Sequence, residues 1–204
     1  MFYFTKTPGF LKSLYKSCTW NFSPAVPAVY LTFDDGPHPK ATPFVLEQLK
    51  KYGAKATFFC IGKNVVEHPE IYQQILLEGH AVGNHTHNHL NGWKTATDKY
   101  IANIKEAAQY IRSQLFRPPY GRISPFQIKE LKKEYQIIMW DVLSGDFDTE
   151  ITGEACVQNV VFKLQPGSIV VFHDSEKAWD RMSYALPRVL EHCKRQGWEV
   201  RAIV

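Results

Sequence analysis

The chain has 204 residues, 45% of them hydrophobic and 14% aromatic, which excludes a disordered or fibrous protein and fits one domain with a sizeable core. Its 24 basic residues are scattered among 20 acidic ones, for a net charge of +4, with no run long enough to track a phosphate backbone. Nucleic acid is not an expected partner.

The chain opens with a segment, 1–28, in which Lys6, Lys12 and Lys16 alternate with aromatic residues and proline. It lacks the apolar run of about 7 to 15 residues that a signal peptide needs. Sec export is not indicated, no transmembrane segment is expected, and a cytoplasmic location follows as the expectation. Phe10, Leu11, Leu14 and Tyr15 with Lys12 and Lys16 would suit a short basic helix lying on a membrane surface, which keeps peripheral association open. The favoured reading packs 1–28 over one end of the domain formed by 29–204.

Strand-like apolar runs recur at 29–33, 56–61, 80–83, 115–117, 136–140, 168–172 and 198–203. Helix-like segments lie between most of them, at 42–52, 69–78, 97–114, 124–135, 153–164 and 185–196, several closed by glycine. This alternation predicts βαβ units and a parallel sheet, either open or closed as a barrel. A full eight-unit barrel takes about 250 residues, so seven short units suggest a trimmed barrel. Cysteines 18, 60, 156 and 193 form no C-x-x-C pair and read as buried reduced thiols.

The first strand ends in Asp34 and Asp35 before Gly36-Pro37. Consecutive side chains of an extended chain point opposite ways, so the two acids are suited to different tasks; an ordinary Asp-Asp-Gly-Pro surface turn is the competing reading. Beyond the third strand stand His85, His87 and His89, three of the eight histidines within five residues. One helical turn or a tight loop would put His85 and His89 on one side, as a divalent metal requires, and turn His87 away. Arg117 to Gly121 follow the fourth strand, Asp141 to Phe147 the fifth, and His173-Asp174 the sixth. The carboxyl ends of barrel strands form one face, so a single assignment gathers five polar clusters at one mouth.

In these motifs the chain resembles the polysaccharide deacetylases (the NodB homology domain, carbohydrate esterase family four). The resemblance spans 29–204 and rests on Thr-Phe-Asp-Asp-Gly-Pro at 32–37, His-Thr-His-Asn-His at 85–89, Arg-Pro-Pro-Tyr-Gly at 117–121, Asp-Phe at 146–147 and Phe-His-Asp at 172–174, in that order. It implies a distorted, incomplete (β/α) barrel of about seven parallel strands. It further implies a metal-dependent hydrolase that removes N-acetyl groups from N-acetylglucosamine units of a peptidoglycan-like or chitooligosaccharide-like glycan. By resemblance Asp35, His85 and His89 are the metal ligands, Asp34 the general base and His173 the general acid. Arg117 holds Asp34, the Tyr120 backbone N–H supports the oxyanion, and Asp146 positions His173. The motif with Asp146 usually ends in Trp; Phe147 keeps an apolar wall but loses the indole N–H.

Tyr120, Phe147 and Trp179 are the expected sugar-stacking residues, with Trp93 a weaker candidate and 175–184 the longest loop on that face. Zinc is the default cofactor, while cobalt, nickel and iron also suit such a ligand set. Two other readings stay open: a related amidohydrolase acting on a small non-sugar amide, and a catalytically silent carbohydrate-binding domain.

Overall fold

The computed structural model describes residues 3–204. In chain order the elements are α1 (Gly9–Leu14), β1 (Ala28–Asp34), α2 (Ala41–Lys51), β2 (Thr57–Cys60), α3 (Gly62–Glu67), α4 (Pro69–Leu77), β3 (Ala81–Asn84), α5 (Thr97–Ala108), β4 (Leu115–Phe116) and α6 (Pro125–Leu131). They continue with β5 (Gln136–Ile137), β6 (Val142–Leu143), α7 (Gly153–Val161), β7 (Ile169–His173), α8 (Trp179–Arg195) and β8 (Glu199–Val200). The strands form one parallel sheet in the order β5-β4-β3-β2-β1-β7-β6, with β8 added at the start of β1. β1, β2 and β7 are buried on both faces, which explains why they read as continuous apolar runs rather than alternating ones.

The two outer members of the seven-strand path, β5 and β6, are consecutive in the chain. The Ile138 N–H bonds the Phe116 carbonyl, and three residues on the Asp141 N–H bonds the Ile169 carbonyl. One bent segment therefore passes from one sheet edge to the other, and the sheet curls into an incomplete, distorted barrel joined there by covalent chain instead of a ladder. The single strand expected at 136–140 is accordingly corrected to the two residues of β5, and β6 forms beyond it, inside the polar stretch expected to follow that strand. The middle of the expected strand forms no continuous ladder, because the carbonyls of Ile138 and Met139 accept bonds from the Arg117 side chain.

Two helices also differ from expectation. α5 stops at Ala108 and tightens through Gln109 and Tyr110 before the chain turns extended, well short of 114. α8 begins at Trp179 rather than 185, with Pro187 inside it, where a sequence reading meets a start signal. Met182, Ala185, Leu186, Val189, Leu190 and Cys193 line its inner face and pack into the main core, so burial outweighs the proline. The expected loop over 175–184 thus shrinks to Ser175–Ala178.

The amino-terminal stretch lies along the bent segment. Lys6 bridges to Val142, Thr19 to Ile138 and Asn21 to Ser168, while the Lys6 and Lys12 ammonium groups reach the buried Asp141 carboxylate at 2.6 and 2.7 Å. Burial alone would raise the Asp141 carboxyl, and the bonds from Lys12, Lys6 and Ser168 more than offset this. All four cysteines are buried and free. No helix of the described residues is long and apolar enough to cross a membrane.

Candidate active site

Strand register places the polar clusters side by side. Asp34 pairs in register with Phe59 of β2 and His173 of β7, and Asn84 pairs with Cys60 of β2 and Phe116 of β4. His85 and Arg117, each one residue beyond its strand, therefore emerge beside Asp34 at the carboxyl end of the sheet.

Arg117 is the largest fully buried side chain, 0% exposed. Every nitrogen of its guanidinium has a partner. Nε donates to the Ile138 carbonyl at 3.2 Å, NH2 to the Met139 carbonyl at 3.1 Å, and NH1 to Thr32 Oγ1 at 2.6 Å and Asp34 Oδ1 at 2.7 Å. The Phe59 ring lies 4.1 Å below. Burial pulls its pKa down from the ordinary value and Asp34 props it up. One Asp34 oxygen is thus fixed by a charge that cannot be lost near neutral pH, and the other, Oδ2, lies 4.0 Å from His85 Nε2.

Asp35 turns the opposite way. Its Oδ1 is buried without a hydrogen-bond partner and faces His89 Nε2 at 3.2 Å and His85 Nε2 at 3.7 Å. One ligand atom from each of these three residues lies within 4.8 Å of the others. The Arg117 carbonyl sits 2.8 Å from His85 Nδ1, so that nitrogen carries the proton and Nε2 keeps its lone pair. Burial pushes the His85 pKa down to about 4, leaving the ring neutral. Burial would raise the Asp35 carboxyl, but the His89, His173 and His85 rings around it hold it well below the usual range. An unpartnered carboxylate oxygen facing two imidazole lone pairs fits a single divalent cation.

The backbone is strained to make this arrangement. Among the described residues, the non-glycine positions with positive φ are Asp35 (80°), Thr86 (64°), His89 (53°) and Tyr120 (60°), all at this mouth. The histidine stretch is a loop rather than a helical turn. The Asn84 carboxamide oxygen accepts the Thr86 N–H, and the Asn103 carboxamide oxygen accepts the N–H groups of His87 and Asn88. His87 points away, with Nε2 3.4 Å from Glu106. The Asp35 turn is clamped from two sides. Asn64 donates to the Asp35 carbonyl at 2.7 Å, and the buried Asp174 carboxylate accepts from the Gly36 N–H at 3.0 Å and from Thr42 Oγ1 at 2.5 Å. A Cβ on Gly36 would lie 2.0 Å from Asp174 Oδ2, so only glycine fits there.

On the far side of Asp34, the Asp146 carboxylate accepts the His173 backbone N–H with one oxygen and meets His173 Nδ1 with the other, both at 2.7 Å. Burial would lower the His173 pKa; Asp146, and behind it Asp35 and Asp34, raise it to about 10. The ring stays 16% exposed, so its Nε2 edge is reachable. Phe147 meets the His173 ring edge-on at 5.4 Å between centroids and leans on Tyr3 at 5.1 Å.

The polysaccharide deacetylase family model matches residues 23–136. The chain is 36% identical to a peptidoglycan-N-acetylglucosamine deacetylase of Bacillus cereus over 88% of each chain, and 36% identical to a chitooligosaccharide deacetylase of Azorhizobium caulinodans over 72% of this chain and 73% of that one. The chain belongs to the polysaccharide deacetylase family.

A solved peptidoglycan N-acetylglucosamine deacetylase superposes with a TM-score of 0.88 at 30% identity, covering 96% of this chain and 94% of the other. A Bacillus anthracis protein described as a pseudoenzyme of carbohydrate esterase family four superposes at 0.78 with 26% identity, over 90% of this chain and 66% of that one. Against longer relatives the chain spans only part of their length, 37% for the peptidoglycan-N-acetylglucosamine deacetylase of Listeria monocytogenes.

The structure of this deacetylase-family chain thus brings together Asp34, Asp35, His85, His89, Arg117, Asp146 and His173. Tyr120 stands at the rim, 59% exposed, its ring 4.6 Å from that of His89. Trp179 is differently placed from expectation. It opens α8 half-buried, Phe44 meets its ring edge-on at 5.3 Å and the Lys40 ammonium lies 4.2 Å over its face, so a sugar stacking there would displace the lysine. Sequence reasoning gave no role to Thr32 or Asp174, although both fall in the quoted motifs, and it missed Asn64 and Arg181. Buried Arg181 reaches back from α8, donating to the Asp146 carbonyl at 2.7 Å and to the Lys177 carbonyl. Thr32 and Asp174 carried a signal, as the first residue of the Thr-Phe-Asp-Asp-Gly-Pro motif and the last of the Phe-His-Asp motif.

Proposed function

We propose that the chain is a metal-dependent hydrolase that removes N-acetyl groups from N-acetylglucosamine units of a glycan. The observation that carries this is the placement, at one mouth, of a three-ligand cation site between an arginine-held carboxylate and a carboxylate-held histidine. Names of the relatives, which cover peptidoglycan and chitooligosaccharides, support the sugar class.

Asp35, His85 and His89 would hold the ion, with zinc the default and cobalt, nickel or iron also suited to the donor set. When bound, a divalent ion polarises the acetyl carbonyl and acidifies water. Asp34 is the base: with Oδ1 tied to Arg117, its free Oδ2 takes the proton of the attacking water. The Tyr120 backbone N–H, on a strained residue against His89, donates to the developing oxyanion at no reorganisation cost. His173 is the acid. Asp146 holds Nδ1–H and keeps the ring cationic at neutral pH, so Nε2–H is delivered to the leaving nitrogen. Phe147, beside that ring, keeps water from the departing amine.

The test is mass spectrometry of a panel of N-acetylated glycans after incubation with metal-reconstituted enzyme, with Asp34→Asn as control. Loss of acetyl mass from N-acetylglucosamine oligomers, absent with the control, is expected. Intact glycans under every metal would overturn the proposal, and ammonia release from small ureides would favour the non-sugar amidohydrolase.

A further inference from the structure

Trp93 is 56% exposed, an unusual place for the largest side chain. Isolated exposed apolar residues are common; this one is braced. It sits in a short 3-10 turn, Gly92–Lys94, in the connection that leads from His89 to α5. The Asn91 carboxamide oxygen accepts its backbone N–H at 3.0 Å, and its indole Nε1–H donates to the Ile123 carbonyl at 3.0 Å. The Arg122 guanidinium stacks 4.3 Å from the ring centre.

The turn itself is bolted to the segment after β4. Gly92 N–H bonds the Arg122 carbonyl at 3.1 Å, and the carboxamide of buried Gln127 donates to the Gly92 carbonyl at 2.9 Å. A Cβ at Gly92 would lie 2.3 Å from the Arg122 carbonyl oxygen, so the approach needs glycine. With its one polar atom satisfied and one face covered by Arg122, the indole offers its remaining face to solvent in a fixed orientation. The fixing costs side-chain entropy and buries little in return, which is the arrangement of a preformed binding surface.

Position identifies the ligand. Both arms of the brace start from the catalytic mouth: His89 lies four residues before Trp93, and Tyr120, whose ring contacts His89, lies two residues before Arg122. A flat apolar face there suits the apolar face of a pyranose ring. We propose that Trp93, oriented by Arg122 and Gln127, is a sugar subsite for the unit flanking the one that is deacetylated. This rests on the deacetylase reading for its ligand class, and it moves the main stacking role from Trp179 to Trp93.

The experiment is titration calorimetry of the full chain with N-acetylglucosamine oligomers from monosaccharide to pentasaccharide, alongside acetate release over the same series. Trp93→Ala should weaken binding of the longer oligomers about 2- to 10-fold and leave the monosaccharide unaffected. In turnover, KM should rise for the longer oligomers while kcat holds. Trp93→Phe, which keeps a ring, should recover most of the affinity, and Arg122→Ala should lose about 2-fold as the indole loosens. Equal affinities of wild type and Trp93→Ala at every length, with both folded by circular dichroism, would overturn the subsite even if acetate is released. A Trp93-dependent gain with length but no acetate under any metal would leave the subsite standing and overturn the deacetylase reading.

Discussion

Two carboxylates flank the mouth at the same distance from a basic partner, 2.7 Å, with opposite consequences. Asp34 faces Arg117, whose charge is permanent and whose remaining donors are spent on Thr32, Ile138 and Met139. The arginine cannot exchange a proton, so it can only orient Asp34 and leave proton transfer to the carboxylate. Asp146 faces His173, whose charge is conditional. There the carboxylate is the fixed member, with both oxygens engaged, and the histidine is the member able to titrate. In the proposed reaction the same pair of charges would yield a base on one side and an acid on the other, according to which member can titrate.

Breaking each titrating member should give the largest effects. Asp34→Asn keeps the bond to Arg117 but removes the base, and His173→Ala removes the acid; each is expected to lower kcat by about 10² to 10⁴, Asp34→Asn at least as much as His173→Ala. Initial rates of acetate release measure both. Near-normal turnover in either pure variant would end the assignment of roles.

Asp146→Asn tests the conditional side and should cost less, about 10- to 100-fold. Because Asp146 holds the His173 pKa up at about 10, the alkaline limb of kcat should shift toward lower pH in the variant. The stability sign is the same. A histidine whose pKa is raised on folding stabilises the protein fully below its ordinary value of about 6.5 and loses that contribution as pH rises through about 10. Wild type should therefore lose melting temperature across that window, and Asp146→Asn should show a flatter profile. An unshifted alkaline limb would detach Asp146 from His173 function.

The polar residues at the strand ends and the residues that support them were not equally legible in the sequence. Asp34, Asp35, His85, His89, Arg117, Asp146 and His173 stood out because chemically distinctive types follow strand-like runs, and parallel strands bring such ends level. The supports did not. Thr32 reads as one more strand residue, and Arg181 as a charge on a helix. Its contact with Asp146 spans 35 residues, a separation that no local pattern encodes. The bend at 138–141 was hidden for a related reason. Ile137 through Trp140 look like one strand, and it is the Arg117 side chain, brought in from 21 residues upstream, that takes the Ile138 carbonyl. The start of α8 was missed because Pro187 speaks for a boundary locally while the apolar face of Met182, Leu186 and Val189 decides otherwise. Local chemistry marks what reacts; long-range packing marks what holds it.

Thr32 gives the smallest and most selective test of the permanent side. Its hydroxyl accepts from Arg117 NH1 at 2.6 Å and donates to the Val170 carbonyl at 2.7 Å, linking the arginine to β7 as well as to β1. Thr32→Val keeps the shape but leaves the Val170 carbonyl without this donor and NH1 with Asp34 alone, at a cost of about 1 to 3 kcal/mol in stability. A fall in the urea midpoint at unchanged slope would register it. The guanidinium keeps its bonds to Ile138 and Met139, so Asp34 should remain close to its place and kcat should drop only a few-fold. Thr32 meets the β7 backbone at Val170 but makes no hydrogen bond to His173 or Asp146, so the alkaline limb of the pH profile should stay where it is. A shift of that limb in Thr32→Val would mean that the two carboxylate pairs are one coupled unit, and the division between a permanent and a conditional charge would not hold.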